Sequence, residues 1–286
     1  MWIISALTKP FAHQELRFAI RQRVWTISAL AKPYVYQDYP TRVRQTELRF
    51  VDFSLLAFGD DGWGDEMLRG ALMTMAVAVC SYLLGIVIGV LFASLKLSRL
   101  VFLRFTAEIY TTVVRGIPEL LVIYLVFFGG GALLRQIASG VFGYEGYVDL
   151  PLFITGMLCI GLSAGAFSTE VIRGAVLAVP VGQIEAAKAI GMSTSKRFWR
   201  VLVPQVARFA LPGLGNVWQL TLKETSLISV IGLVEIMRSA AVASGSTKEP
   251  FTFYLLAGFL YLGLTSISNR GFLRAEAWAS KGVRYN

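Results

Sequence analysis

The residues most able to do chemistry in this sequence are charged side chains set inside long apolar runs. Arg115, Pro118 and Glu119 interrupt the run 101–128, Glu170 and Arg173 lie within 150–179, and Lys223 and Glu224 adjoin within 209–236. In hydrocarbon an ionised side chain costs about 2.5–3.5 kcal/mol at the bilayer centre on insertion scales, so such residues pair or face water. Glu170 and Arg173 are three apart, hence on one helical face and able to pair. Pro118 breaks a helix, and the backbone groups it frees can line a cavity. Each group therefore has two readings, a structural ion pair or snorkelling end, and the lining or gate of a polar path.

Other chemistries are excluded by what is missing. The single histidine, His13, and two cysteines, Cys80 and Cys159, cannot build a zinc site or a disulfide framework. Both cysteines sit in apolar runs and are expected to be buried, inert thiols. Gly161-Leu-Ser163-Ala-Gly165 matches the nucleophile-elbow pattern of serine hydrolases. That motif needs a strand–turn–helix and a histidine base. Inside an apolar run the same letters predict close helix packing, as does Gly85-Ile-Val-Ile-Gly89. No phosphate-cradling Gly-x-x-x-x-Gly-Lys-Ser/Thr occurs. No catalytic residues, metal or cofactor are expected, and the chain is not read as an enzyme.

The elements that must position these charges are long and apolar. Of the 286 residues 55% are hydrophobic and only 16% charged, against roughly 25% charged in ordinary soluble domains. Apolar runs span about 68–96, 101–128, 150–179, 209–236 and 251–267. Some 20 residues cross ~30 Å of hydrocarbon, so the expectation is an all-α polytopic membrane protein of about five transmembrane helices. The 96–104 and 180–205 loops and the C-terminal segment share one side and carry most of the Lys and Arg, which places them in the cytoplasm. Asp60, Asp61, Asp65 and Glu66 then face outward.

The 180–205 loop is the most informative stretch. Gln183–Ile190 is rich in helix formers, and Gly191 is placed to end the helix as a C-terminal cap. Ser193 or Ser195 can cap a second short helix, which Pro204 is expected to close. A cytosolic subunit could grip this helix–turn–helix, although a basic amphipathic loop on lipid headgroups would read the same way.

The pattern Glu185-Ala186-Ala187, then Gly191 and Pro204, resembles the EAA loop of bacterial ABC-transporter permeases. Tyr110–Glu119, Phe167–Gly174 and Ala210–Gln219 extend the likeness over the body from Leu68 onward. Together they resemble the polar amino-acid branch, of the histidine, lysine, arginine, ornithine and opine type. The resemblance implies a type-1 permease fold in the inner membrane, importing polar or basic amino acids or opines. It implies Glu185, Ala186, Ala187, Gly191 and Pro204 as the coupling element for an ATP-binding-cassette dimer. The other implied partners are a second permease copy or paralogue, a periplasmic solute-binding protein and membrane lipid, with no nucleic acid. In that setting Arg115, Pro118, Glu119, Glu170, Arg173, Lys223 and Glu224 become candidates for the substrate path. Glu119 or Glu170 would meet a guanidinium or ammonium, and Arg115 the extra carboxylate of an opine. The runner-up is an ion-coupled secondary carrier without an ATPase subunit; such carriers usually show inverted repeats, and none is evident in the sequence.

The chain divides into a tail, 1–67, a transmembrane domain, 68–268, and a cytoplasmic C-terminal tail, 269–286. Residues 1–50 hold eight basic and three acidic side chains, a net +5 of the chain's +9. Trp2–Phe11 is echoed by Trp25–Tyr34, too few copies for a repeat fold. Positive charge on the outer side opposes the orientation rule, and the resemblance does not extend into this segment. Val51 is a residue that a GTG start codon would encode. The expectation is that translation begins near Val51 and that 1–50 are loosely packed or not made.

Overall fold

The computed structural model describes residues 53–59, 62–142 and 151–280. The expectations for residues 1–50 lie outside these.

Every extended element among the described residues is helical. The first helix, α1 (Gly64–Lys96), runs 33 residues without a proline, with Asp65 and Glu66 in its first turn and Lys96 in its last. Both charge placements favour the helix dipole. The helix begins before Leu68, and Met67 is already 2% exposed in the core, so the tail boundary expected at 67 falls inside α1. After a short turn α2 (Val101–Gly116) follows, and α3 (Glu119–Tyr124) departs from it at 106°. Ile117 and Pro118 are both extended at the bend, because the residue before a proline is pushed out of helical geometry. A π-helical turn, Leu125–Gly129, leads into α4 (Gly130–Phe142).

The third run forms α5 (Leu152–Ala178), directly after Pro151. The 180–205 loop folds as α6 (Val181–Ala189) and the one-turn α7 (Thr194–Arg197). A second π-helical turn, Phe198–Leu202, passes into α8 (Val203–Glu224). Pro204 therefore does not close the second short helix; it sits in the first turn of α8, where a missing N–H costs little. Lys223 and Glu224 are the last two residues of α8. The helix continues through both, tightens to 3-10 geometry over Thr225–Ile231, and turns at Gly232, whose φ is 99°. Beyond it α9 (Ile236–Thr247) bends from the preceding segment by 48°, and α10 (Pro250–Ala279) returns across the molecule. Helix α10 continues to Ala279, so the first residues of the C-terminal tail expected from 269 are helical.

Three helices, α1, α5 and α10, are each long and apolar enough to cross a membrane, and counting each bent pair as one span gives five. The topology alternates, so α1 and α5 run in parallel. Their contact is made by small residues: a Cβ on Gly85 would lie 2.7 Å from that of Ala164, and one on Gly89 2.6 Å from that of Ser168. From the other side Gly161 and Gly165 receive Leu84 and Ile88. The Gly-x-Ser-x-Gly letters thus lie inside a helix and serve packing. Val77, Cys159, Ile160 and Ile228 form one core cluster, and Ala78, Tyr82, Ala164 and Trp218 another. Cys159 is buried as expected, whereas Cys80 is only partly so.

Candidate functional site

Two places gather the expected residues. The first is the 180–205 loop. Gly191 has φ 79°, its amide donates to the Lys188 carbonyl at 3.0 Å, and the Met192 amide donates to the Ala187 carbonyl at 3.1 Å. These two bonds are the Schellman closure of a helix, which calls for glycine at the left-handed position. Ala187 is buried, while Glu185 and Ala186 are exposed. Ser193 occupies the N-cap of α7 without a side-chain capping bond. Around the loop Val181, Ile190 and Trp199 are 68%, 78% and 66% exposed, and Phe198 packs edge-on against Trp199.

The second place is one face of α5. Ser163, Phe167 and Glu170 lie there at helical spacing, and the broken second span addresses them in turn. Glu119, opening α3, interacts with Ser163 and with Glu224 from the end of α8. Its Oε1 is buried without a hydrogen-bond partner. One turn further along, the Arg115 guanidinium sits 5.3 Å from the centre of the Phe167 ring, a cation–π distance. Ser163 is about 17 Å from the start of α5 at 1.5 Å per residue, close to the middle of that helix.

Glu170 belongs to a different group. It accepts from Lys96 Nζ and from Arg173 Nη1, the latter at 3.4 Å, and Lys96 also pairs with Glu108 Oε2 at 2.8 Å. The pairing of Glu170 with Arg173 was legible from their spacing; Lys96 and Glu108 were not singled out. Lys223 is exposed and makes no ion pair among the described residues, so it stands apart from Glu224. Glu235 was also missed. It is 1% exposed, caps α9 through the Arg238 amide at 2.9 Å, and accepts from Tyr261 at 2.8 Å.

Bent spans around a parallel small-residue core, with a short helical loop between the third and fourth, are the architecture of a polytopic membrane subunit with a type-1 ABC permease fold. The chain belongs to the family described as binding-protein-dependent transport system inner membrane component, whose model matches residues 85–274. It is therefore a multi-pass inner-membrane transport subunit. It is 67% identical over 234 residues to the nopaline transport system permease protein NocQ of Agrobacterium fabrum, covering 82% of this chain and 99% of that protein. It is 53% identical to the octopine transport system permease protein OccQ of Rhizobium meliloti, covering 80% and 97%. With the histidine/lysine/arginine/ornithine transport system permease protein HisQ of Escherichia coli it shares 39%, covering 78% and 97%. Among solved structures, an amino acid ABC transporter with histidines superposes with a TM-score of 0.65 at 28% identity, covering 75% of this chain and 94% of that one.

Proposed function

We propose that this subunit imports an opine of the nopaline or octopine kind, and that the column on α5 is where the ligand is read. The observation that carries this reading is the pair of opposite charges, Arg115 and Glu119, presented four residues apart to one helix face. Glu119, with Glu224 beside it, suits a guanidinium or ammonium. Arg115 suits a carboxylate, and an opine carries more carboxylates than the amino acid from which it is made. The identity with the nopaline permease favours this class over plain basic amino acids.

In this reading ATP is hydrolysed elsewhere. Two ATP-binding-cassette subunits bind beneath the membrane, a second permease copy or paralogue completes the pathway, and a periplasmic binding protein delivers the ligand. The segment 181–191 docks into the ATPase subunit through Val181, Ile190 and neighbouring residues, with Glu185, Ala186, Ala187 and Gly191 shaping the helix. Pro204 then sets the start of α8. The exposed apolar stripe Val101, Phe102, Phe105, Ile109 and Val113 on α2 faces lipid or the second permease. ATP-driven closure would tilt the spans and alternate access to the column.

The test is reconstitution of the permease with its ATPase and binding protein in proteoliposomes. Uptake of labelled nopaline, in competition with octopine and arginine, should require ATP inside. Uptake driven by an ion gradient without the ATPase subunit would overturn the reading.

A further inference from the structure

The ammonium of Lys96 is buried where a lysine ordinarily reaches water. It ends α1 on the cytoplasmic side, a position from which the four-carbon stem usually snorkels outward. Instead its side chain is 2% exposed, held between Glu108 of α2 and Glu170 of α5. One cation thereby fastens three separate membrane segments. Glu170 is also bound by Arg173 and feels the charge of Arg115, which itself rests on Phe167.

The position of this cluster relative to the cytoplasmic loop gives it a role. From Arg173 the same helix runs five more residues to Ala178, and only Val179 and Pro180 separate it from α6. No flexible linker intervenes, so a push on α6 is delivered to α5 within two turns of Glu170. Above the cluster, α1 and α5 are already in backbone-close contact at Gly89 and Ser168. Segment α2 meets α1 through the rings of Phe92 and Tyr110, 4.2 Å apart, and meets α5 through the Tyr110 hydroxyl, which donates to the Leu162 carbonyl at 2.7 Å; the Lys96–Glu108 ion pair adds a charged tie one turn nearer the end of α1.

We propose that Lys96 is a positioning residue for coupled transport: it makes α1, α2 and the α5–α6 arm move as one body. Displacement of α6 then reaches Arg115 and the bend at Pro118. The inference rests on the reading of α6 as the docking element for the ATPase subunit. Coupling of this kind needs a measured energetic link rather than proximity alone.

The experiment uses the complete complex in proteoliposomes, with Lys96→Met, Lys96→Arg, Glu108→Gln and Glu170→Gln. Co-purification of the ATPase subunit and its basal hydrolysis are measured beside uptake per ATP, using whichever of labelled nopaline or arginine the unaltered complex carries. Lys96→Met should assemble and hydrolyse ATP normally while uptake per ATP falls about ten-fold. Lys96→Arg, which keeps the charge and can reach both carboxylates, should restore most of it. Glu108→Gln, whose side chain is 62% exposed, should lower uptake per ATP in the same sense. Lys96→Met combined with Glu170→Gln should be no worse than Lys96→Met alone. Unchanged uptake per ATP in Lys96→Met or Glu108→Gln overturns the proposal. So does joint loss of assembly and hydrolysis without rescue by arginine, which would make the cluster only structural. An unaltered complex in which deletion of 181–191 leaves ATPase binding intact would instead remove the docking reading, and the proposal with it.

Discussion

The amide of Met192 donates to the carbonyl of Ala187 across 3.1 Å, and this bond folds the chain back over the end of the cytoplasmic helix. It forms only because Gly191 between them holds φ at 79°. A Cβ there would meet nothing within 4 Å, so any penalty of substitution is one of backbone conformation. Gly191→Val should cost about 1–2 kcal/mol locally and unseat Met192, leaving insertion intact. Uptake should fall while hydrolysis by the ATPase continues. Gly182→Ala, in the same helix, also meets open space and has no left-handed φ; it should behave as the unaltered protein. Normal transport by well-expressed Gly191→Val would refute the turn's role.

Glu119→Gln should weaken uptake of cationic ligands more than of neutral ones, because it replaces the α3 carboxyl group that stands beside Glu224, opposite Ser163 in the middle of α5. Glu170→Gln should not show this selectivity, since its carboxylate is engaged by Lys96 and Arg173. Arg115→Gln should discriminate in the other direction, raising the apparent KM for nopaline more than for arginine. Competition uptake assays with the three variants decide the assignments. If Glu119→Gln carries arginine at the normal apparent KM, the carboxylate does not meet the ligand.

Helix approach at Gly89 leaves no room for a side chain. A Cβ would lie 2.6 Å from the Ser168 Cβ and 3.1 Å from its backbone, closer than real atoms pack. Gly89→Val should therefore overpack the α1–α5 contact and cost about 1–3 kcal/mol. The expected readout is a lower Tm in detergent and reduced membrane yield. Gly258→Ala on α10 meets open space and should leave the Tm unchanged.

The Glu235 carboxylate joins α1, α9 and α10 through Thr74 and Tyr261, at 3.4 and 2.8 Å. Glu235→Ala loses a helix cap, about 1 kcal/mol, and strands buried hydroxyls at about 1–3 kcal/mol. Tyr261→Phe should cost less, and the double variant should fall short of the sum, because the residues share one bond. Thermal unfolding of the four proteins in detergent measures this cycle.

Much of the architecture was legible because its signals are local. Five apolar runs, the helix before Gly191 and the break at Pro118 follow from composition over a few turns. Pro204 was misread because a proline that ends one helix and a proline in the first turn of the next look alike in sequence. The π-helical turn at Phe198–Leu202 joins the two and has no sequence signature that would have separated them. Lys96 ends the first apolar run and Glu108 lies inside the second, and their meeting with Glu170 depends on the register of α1 against α5. That register is set by Gly85 and Gly89, whose packing role was readable but whose partners, some 80 residues away, were not. Glu235 is hidden for the same reason: Thr74 is 161 residues distant.

The length of α1 reaches beyond the protein itself. Its 33 residues extend about 50 Å at 1.5 Å each, while the hydrocarbon they enter is ~30 Å thick. The apolar stretch between Arg69 and Lys96 is longer than that slab, so the helix inclines or the surrounding lipid stretches to cover it. Each ångström of mismatch carries a fraction of a kcal/mol. A change of tilt during transport changes that elastic load. The acyl-chain length of the host bilayer thus enters the energy difference between the permease's two orientations, and thickness becomes a variable of its turnover.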